Sequence, residues 1–174
     1  PTYAGKNTYN QLFTDSIKAN LNSENFYKGA WQQSDSTTSG LMSAVAYYFG
    51  KSISNKINIP IGLINLSIGG AAIESFISIA AFQASKKFSN KILGNWISNN
   101  ALPVWIRERG LQNLGKVDTS ASGNNFNSNH AFKPGFVFES GIRPLTNLSI
   151  TGILCYQGES NAQELDRVFE FFFR

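Results

Sequence analysis

Cysteine and histidine are almost absent from this chain, which contains one residue of each among 174, Cys155 and His130. A single cysteine excludes a disulfide within the chain, and one residue of each kind leaves too few ligands for a structural zinc site. No apolar run approaches the roughly 20 residues that a membrane-spanning helix needs. The sequence therefore gives no reason to expect a metal, another cofactor or a membrane span.

Charge is also sparse, because charged residues make up 15% of the chain whereas hydrophobic residues make up 42%. This balance is typical of a folded globular chain, and the length suits one domain. The net charge is +4, but the basic residues are scattered and do not interleave with aromatic residues in runs. A nucleic acid is therefore not an expected partner.

Three stretches of different character follow one another along the chain. Residues 1–40 form a loop-rich lead-in with a short helix predicted at 9–21, residues 41–162 carry the clear patterns, and residues 163–174 are typical of a truncated helix. The chain opens at Pro1 and stops within that apparent helix, so we expect a fragment of a larger domain. The first clear pattern is an apolar helical face formed by five residues, Leu41, Val45, Tyr48, Phe49 and Ile53.

Two short apolar runs, at 58–67 and 150–156, are typical of strands that are buried on both faces of a parallel sheet. The first run leads into Gly69 and Gly70 and then into a helix-like start; the second leads into a polar loop. Helix, apolar strand, glycine-rich turn and helix in succession predict an α/β sheet, and the loops at the carboxyl ends of such strands hold active sites. Between the two runs, residues 77–115 are predicted to be mostly helical, with core anchors at Trp96 and Trp105.

The turn at Gly69 and Gly70 is the first candidate for chemistry. Glycine tolerates positive φ, and a turn before a helix start exposes backbone N–H groups that can stabilise an oxyanion. A plain connecting turn is the alternative and stays open. A nucleotide-phosphate loop is disfavoured, because neither a G-x-G-x-x-G pattern nor a G-K-[ST] ending is present.

The polar loop after the second run is the other candidate. A carboxamide at Gln157 can donate N–H groups into a crevice without bringing charge, which suits an oxyanion hole. Asn161 with Glu164 three residues later is more typical of a helix cap. Glu74 and Glu159 can orient loop N–H groups or contact a sugar hydroxyl, although a paired-carboxylate glycosidase would need a spacing that sequence does not show.

Together these segments resemble a known family. The resemblance is carried by IPIGLINLSIGGAAIESF at 59–76, RERGL at 107–111, HAFKPGF at 130–136 and, most specifically, GILCYQGESNA at 152–162. In these motifs and their spacing the chain is similar to sialate O-acetylesterase and its bacterial relatives, within the SGNH-type carbohydrate esterases. The likeness runs from about residue 31 to residue 162.

The resemblance implies a three-layer, flavodoxin-like SGNH hydrolase fold with a mostly parallel sheet, incomplete at both ends and spanning residues 1–174 as one partial domain. It also implies a secreted or periplasmic enzyme that hydrolyses acetyl esters on sialic acid or other glycans. The family's nucleophilic serine lies in a Gly-Gln-Ser-Asn turn and its base in an Asp-x-x-His segment, and this sequence contains neither. The oxyanion donors map onto Gly69 or Gly70, onto Gln157 and, as second choice, onto Asn161.

Substitutes for the missing nucleophile and base are weak. Ser16 lacks the glycine of a nucleophile turn, and no G-x-S-x-G elbow occurs in the chain. Ser160 and His130 invite a triad, but in the family pattern both belong to structural segments. The chain alone is therefore expected to be inactive and poorly soluble. The alternatives are a non-catalytic carbohydrate-binding protein of the same fold and a nucleotide-binding α/β domain.

Overall fold

The computed structural model describes residues 2–115 and 128–162, and within them helices outweigh strands. The predicted truncated helix at 163–174 lies outside the described residues. The α-helices are α1 (Asp15–Ala19), α2 (Ala44–Ile57), α3 (Ile79–Ala84) and α4 (Val104–Leu114), and the strands are β1 (Thr2–Tyr3) and β2 (Tyr27–Lys28). Single 3-10 turns lie at Ser39–Leu41, Ile73–Phe76, Ser89–Ile92, Arg143–Leu145 and Glu159–Asn161, and a π-helical turn lies at Phe138–Ile142.

The prediction of a mostly parallel, three-layer flavodoxin-like sheet is wrong. Within residues 2–115 and 128–162 the only sheet is the antiparallel pair β1–β2, in which Thr2 faces Lys28. The runs at 58–67 and 150–156 have no regular structure and pair with no strand in the described part of the chain. An apolar run shows that its side chains favour burial. A strand, however, also needs a neighbouring strand that hydrogen-bonds to its backbone, and the described residues contain no such neighbour for either run.

The two unpaired runs consequently expose apolar surface. Ile153 is 78% exposed, and Tyr156 and Ile59 are exposed as well. The first run is attached through isolated hydrogen bonds to its carbonyl groups, such as the one from Tyr27 Oη to Leu66 O at 2.7 Å. Exposed apolar surface of this kind promotes association between molecules. The poor solubility expected from the sequence agrees with this surface and stays a prediction.

The predicted helix after residue 41 is confirmed as α2, but its predicted apolar face is not buried. Ser43 caps the helix through its hydroxyl, which accepts from Ala46 N, and Asn58 ends it in a left-handed conformation with φ of 54°. Val45 is 70% exposed, whereas Gly50 is buried under the Leu63 side chain. The helical period therefore located the helix correctly and did not identify the side that packs.

The main core lies between α4 and the segments on either side of it. Ile106 on α4 is fully buried, as are Phe26 before β2 and Val137 before the π-helical turn. The prediction that Trp96 anchors the core is confirmed, and Trp105 packs against the same cluster while remaining half-buried. A second, smaller cluster contains Ile73, Ile77, Phe82 and Phe88.

Gly110 gives a direct test of this packing. A Cβ at this position would lie 2.2 Å from Trp96 Cη2, so the Gly110→Ala variant forces the buried indole to move. We expect a loss of about 1–3 kcal/mol in the free energy of unfolding, although Gly→Ala within a helix is otherwise favourable. Urea denaturation measures this loss. The control is Gly40→Ala, where a Cβ meets no atom within 4 Å, and equal midpoints for the two variants would contradict the packing.

Candidate functional site

The turn at Gly69 and Gly70 is exposed and has the predicted backbone geometry at one of its two glycines. Gly70 has φ of 77°, and Ala71 N donates to Ile68 O at 3.2 Å to close the turn. Neither glycine donates its backbone N–H to another group in the part of the chain that the structure describes. Among the described residues, both N–H groups of this turn are therefore without a hydrogen-bond acceptor.

Gln157 lies next to this turn, although the two are far apart in the sequence. Its side-chain Nε2 donates to the carbonyl oxygen of Ala71 at 2.6 Å, across 86 residues. Ala71 directly follows Gly70, so the structure brings together the two segments that the sequence predicted to act jointly. One of the two Nε2 hydrogens is used in this bond, and the half-buried carboxamide retains the other.

Asn161 is 1% exposed and holds the same two segments together from the inside. Its Oδ1 accepts from Ile73 N at 2.9 Å, and its Nδ2 donates to Glu74 Oε2 at 2.9 Å. The residue that would complete the predicted capping box, Glu164, lies outside the described residues. The oxyanion role of Asn161 stays a prediction, while the contacts seen are internal ones.

Glu74 is fully buried and forms an ion pair that the sequence analysis missed. Its Oε1 lies 2.9 Å from Lys91 Nζ, and Lys91 also donates to Ala101 O at 3.0 Å. Both carboxylate oxygens therefore have internal partners. Glu159, by contrast, is exposed and accessible. The predicted sugar contacts of both glutamates stay predictions.

One signal could have identified this pair. A glutamate within the apolar segment AAIESF at 71–76 is a charge that folding buries, and a buried carboxylate requires a cationic partner. The identity of that partner is not encoded locally, because Lys91 lies 17 residues away in a polar stretch that is typical of surface.

His130 is buried and has hydrogen-bond partners at both ring nitrogens. Nδ1 accepts from Phe132 N at 3.0 Å, which places the proton on Nε2, 3.1 Å from Asn113 Oδ1. The ring stacks between Phe13 and Trp96 with centroid distances of 5.6 and 5.8 Å. The interpretation of His130 as a buried, hydrogen-bonded residue is confirmed.

The electrostatics agree with this arrangement. Burial, together with the weaker effect of the nearby Arg109 guanidinium, lowers the pKa of His130 to about 3. The imidazole is therefore neutral at pH 7, with its only lone-pair nitrogen bound to Phe132 N. Such a ring is poorly placed to accept a proton from a nucleophile.

A small crevice opens beside the glycine turn on the His130 side. Ile68 and Gly69 form one wall, and Tyr9, Phe13 and His130 contribute to the other. Gln157 does not line this crevice. The turn therefore borders two environments, an aromatic crevice on one side and the Gln157 carboxamide on the other.

Metal and membrane sites have no support in the described part of the chain. Residues 2–115 and 128–162 contain no group of three or more His, Cys, Asp or Glu side chains arranged to hold a metal ion. None of the helices within those ranges is long and apolar enough to cross a membrane.

Comparison with protein-family models, with curated proteins and with solved structures finds no match to this chain.

Proposed function

We propose that this chain supplies the oxyanion-stabilising loops of an enzyme that removes O-acetyl groups from carbohydrates. The observation that carries the proposal is the hydrogen bond from the Gln157 carboxamide to the carbonyl oxygen of Ala71, the residue that directly follows the Gly69–Gly70 turn. Neutral N–H donors from a side chain and a glycine turn are what the tetrahedral intermediate of ester cleavage requires. The resemblance to sialate O-acetylesterases at these same residues supports the assignment.

The chemistry divides between this chain and segments that its sequence does not contain. A seryl oxygen from a Gly-Gln-Ser-Asn turn attacks the acetyl carbonyl carbon while an imidazole from an Asp-x-x-His segment takes the seryl proton. The bond between the acetyl carbon and the sugar oxygen then breaks, and the imidazole returns the proton to that oxygen. Water cleaves the resulting acetyl-serine ester, which releases acetate and restores the serine. The carbonyl oxygen becomes negative as the carbon turns tetrahedral. A glycine N–H of the turn and the remaining Gln157 N–H stabilise that charge.

The test uses a polypeptide from the same reading frame that includes both catalytic segments. We expect Gln157→Ala to lower kcat for a 9-O-acetylated sialic acid about 100-fold, because one oxyanion donor contributes roughly 3 kcal/mol. The control is Gln83→Ala, at an exposed position of α3, which should leave kcat unchanged. Equal kcat values for the two variants would remove Gln157 from the oxyanion hole.

The chain of 174 residues should show no turnover of 4-nitrophenyl acetate. Activity that disappears in a Ser160→Ala or a His130 variant would contradict the division of labour, because it would place the nucleophile and base inside this chain.

The second candidate function is carbohydrate binding without catalysis. It applies if no segment outside this chain supplies a base, because both ring nitrogens of His130, the one histidine of the chain, are engaged and buried. Binding of an O-acetylated sugar to this chain, together with a longer reading frame that lacks both catalytic segments, would favour the binding protein over the esterase.

A further inference from the structure

A buried polar network joins the two loops of the proposed oxyanion site. Glu74 lies at its centre, with Lys91 on one carboxylate oxygen and Asn161 on the other, each at 2.9 Å. Asn161 Oδ1 in turn accepts a hydrogen bond from Ile73 N. None of these three side chains is more than 2% exposed, so the network has no direct access to a ligand.

The network includes a residue of the loop that carries Gln157. Gln157 and Asn161 belong to one loop, four residues apart, and they attach to the neighbouring backbone positions Ala71 and Ile73. The backbone between them turns at Gly158, with φ of 136°, and continues as the 3-10 turn Glu159–Asn161. Asn161 is the buried member of this loop, whereas Gln157 is half-buried and bonds to the residue that follows the Gly69–Gly70 turn.

We infer that Glu74 and Asn161 are positioning residues that hold the Gln157 carboxamide at the Gly69–Gly70 turn. The role rests on the proposed function, since the carboxamide needs a fixed place only if it serves as a donor. Lys91 makes the arrangement directional, because its ammonium donates to Glu74 Oε1 while Glu74 Oε2 accepts from Asn161 Nδ2, which directs Asn161 Oδ1 to Ile73 N.

Exchanging the two groups gives a sharp test in the full chain. Asn161→Asp places a second carboxylate against Glu74, with the Lys91 ammonium as the one cation of the network. The double variant Glu74→Gln/Asn161→Asp again has one carboxylate and one carboxamide, with their positions reversed. We expect hydrogen exchange at the Gln157 side-chain amide, followed by ¹⁵N NMR, to accelerate at least 10-fold in Asn161→Asp. In the double variant it should return to within about twofold of the parent chain.

Two controls separate positioning from general stability. Asn147→Asp makes the same chemical change at an exposed site, and Gly110→Ala lowers stability in the other core cluster. Both should leave Gln157 exchange unchanged. Unchanged exchange in Asn161→Asp, or a double variant no better than Asn161→Asp, overturns the inference. If Asn161→Asp alone does not fold, a folded double variant with protected Gln157 supports it, and an unfolded or unprotected double variant overturns it.

Titration with a 9-O-acetylated sialic acid distinguishes this inference from the proposed function. Affinity that falls at least 10-fold in Asn161→Asp and recovers in the double variant supports both. If hydrogen exchange at Gln157 accelerates in Asn161→Asp and recovers in the double variant, while none of the proteins binds the sugar, the positioning network is supported and the proposed substrate is excluded. Binding that is equal in all variants, with unchanged exchange, overturns the network while leaving the substrate in place.

Discussion

Replacing Lys91 by methionine should cost the protein about 3–5 kcal/mol of unfolding free energy, since it leaves the Glu74 carboxylate buried without its counter-ion. The remaining partner of that carboxylate is the Asn161 amide, a neutral donor that does not offset the desolvation of a full charge. Water does not reach the pair, so solvent screening, which weakens surface ion pairs, does not reduce the effect. Urea denaturation at pH 7 measures the loss.

Lys86→Met is the matched control, because Lys86 is exposed shortly after α3, and substitution there should change stability by less than about 0.5 kcal/mol. The double variant Glu74→Leu/Lys91→Met should recover a large part of the loss, because two apolar side chains replace the pair without leaving a charge. Equal midpoints for Lys91→Met and Lys86→Met would show that Lys91 does not compensate a buried Glu74.

The local elements of this fold could be predicted from the sequence, and the sheet could not. α2 follows from helical spacing, and the glycine turn follows from two adjacent glycines after an apolar run. The runs at 58–67 and 150–156 have the composition of buried strands, but strand pairing depends on segments distant in sequence. Without such partners in the described chain, the same residues remain irregular and exposed.

In the candidate site, too, the sequence indicated individual residues but not their distant contacts. Gln157 was singled out because a carboxamide after an apolar run can donate N–H groups without bringing charge, and the structure places it at Ala71 O, next to the glycine turn. Asn161 was predicted mainly as a helix cap from its spacing to Glu164, yet its oxygen accepts from Ile73 N, 88 residues away. A short-range pattern offers a partner four residues away or less, whereas tertiary packing selected a distant one. Lys91 was missed for the same reason.

His130 should make the protein less stable as the pH falls, and the sign follows from its depressed pKa. In the folded chain burial lowers this pKa from 6.5 to about 3, whereas in the unfolded chain the ring titrates near 6.5. Between these values the unfolded state binds more protons, so the free energy of unfolding rises with pH. The stability is fully present above pH 6.5 and is lost progressively as the pH falls towards 3.

The loss amounts to roughly 4–5 kcal/mol over that window, because each tenfold difference in proton affinity corresponds to 1.36 kcal/mol. Between pH 7 and pH 5, above the range of most carboxylates, His130 alone should account for about 2 kcal/mol. His130→Phe keeps the stacking with Phe13 and Trp96 but removes the titration, so its unfolding free energy should vary less over this interval. The variant starts from a lower stability, because Asn113 Oδ1 loses its donor. The comparison therefore uses the change of the unfolding free energy with pH and not its absolute value.

A direct measurement is available because the chain has one histidine, so that the Cε1–H signal of the imidazole is unambiguous in the NMR spectrum. Its chemical shift should stay constant from pH 8 to pH 5 in the folded protein and titrate near 6.5 in urea. A folded-state midpoint near 6.5 would mean that water reaches the ring. In that case the stacked, doubly hydrogen-bonded arrangement would not hold, and His130 would again be a candidate base beside the Gly69 crevice.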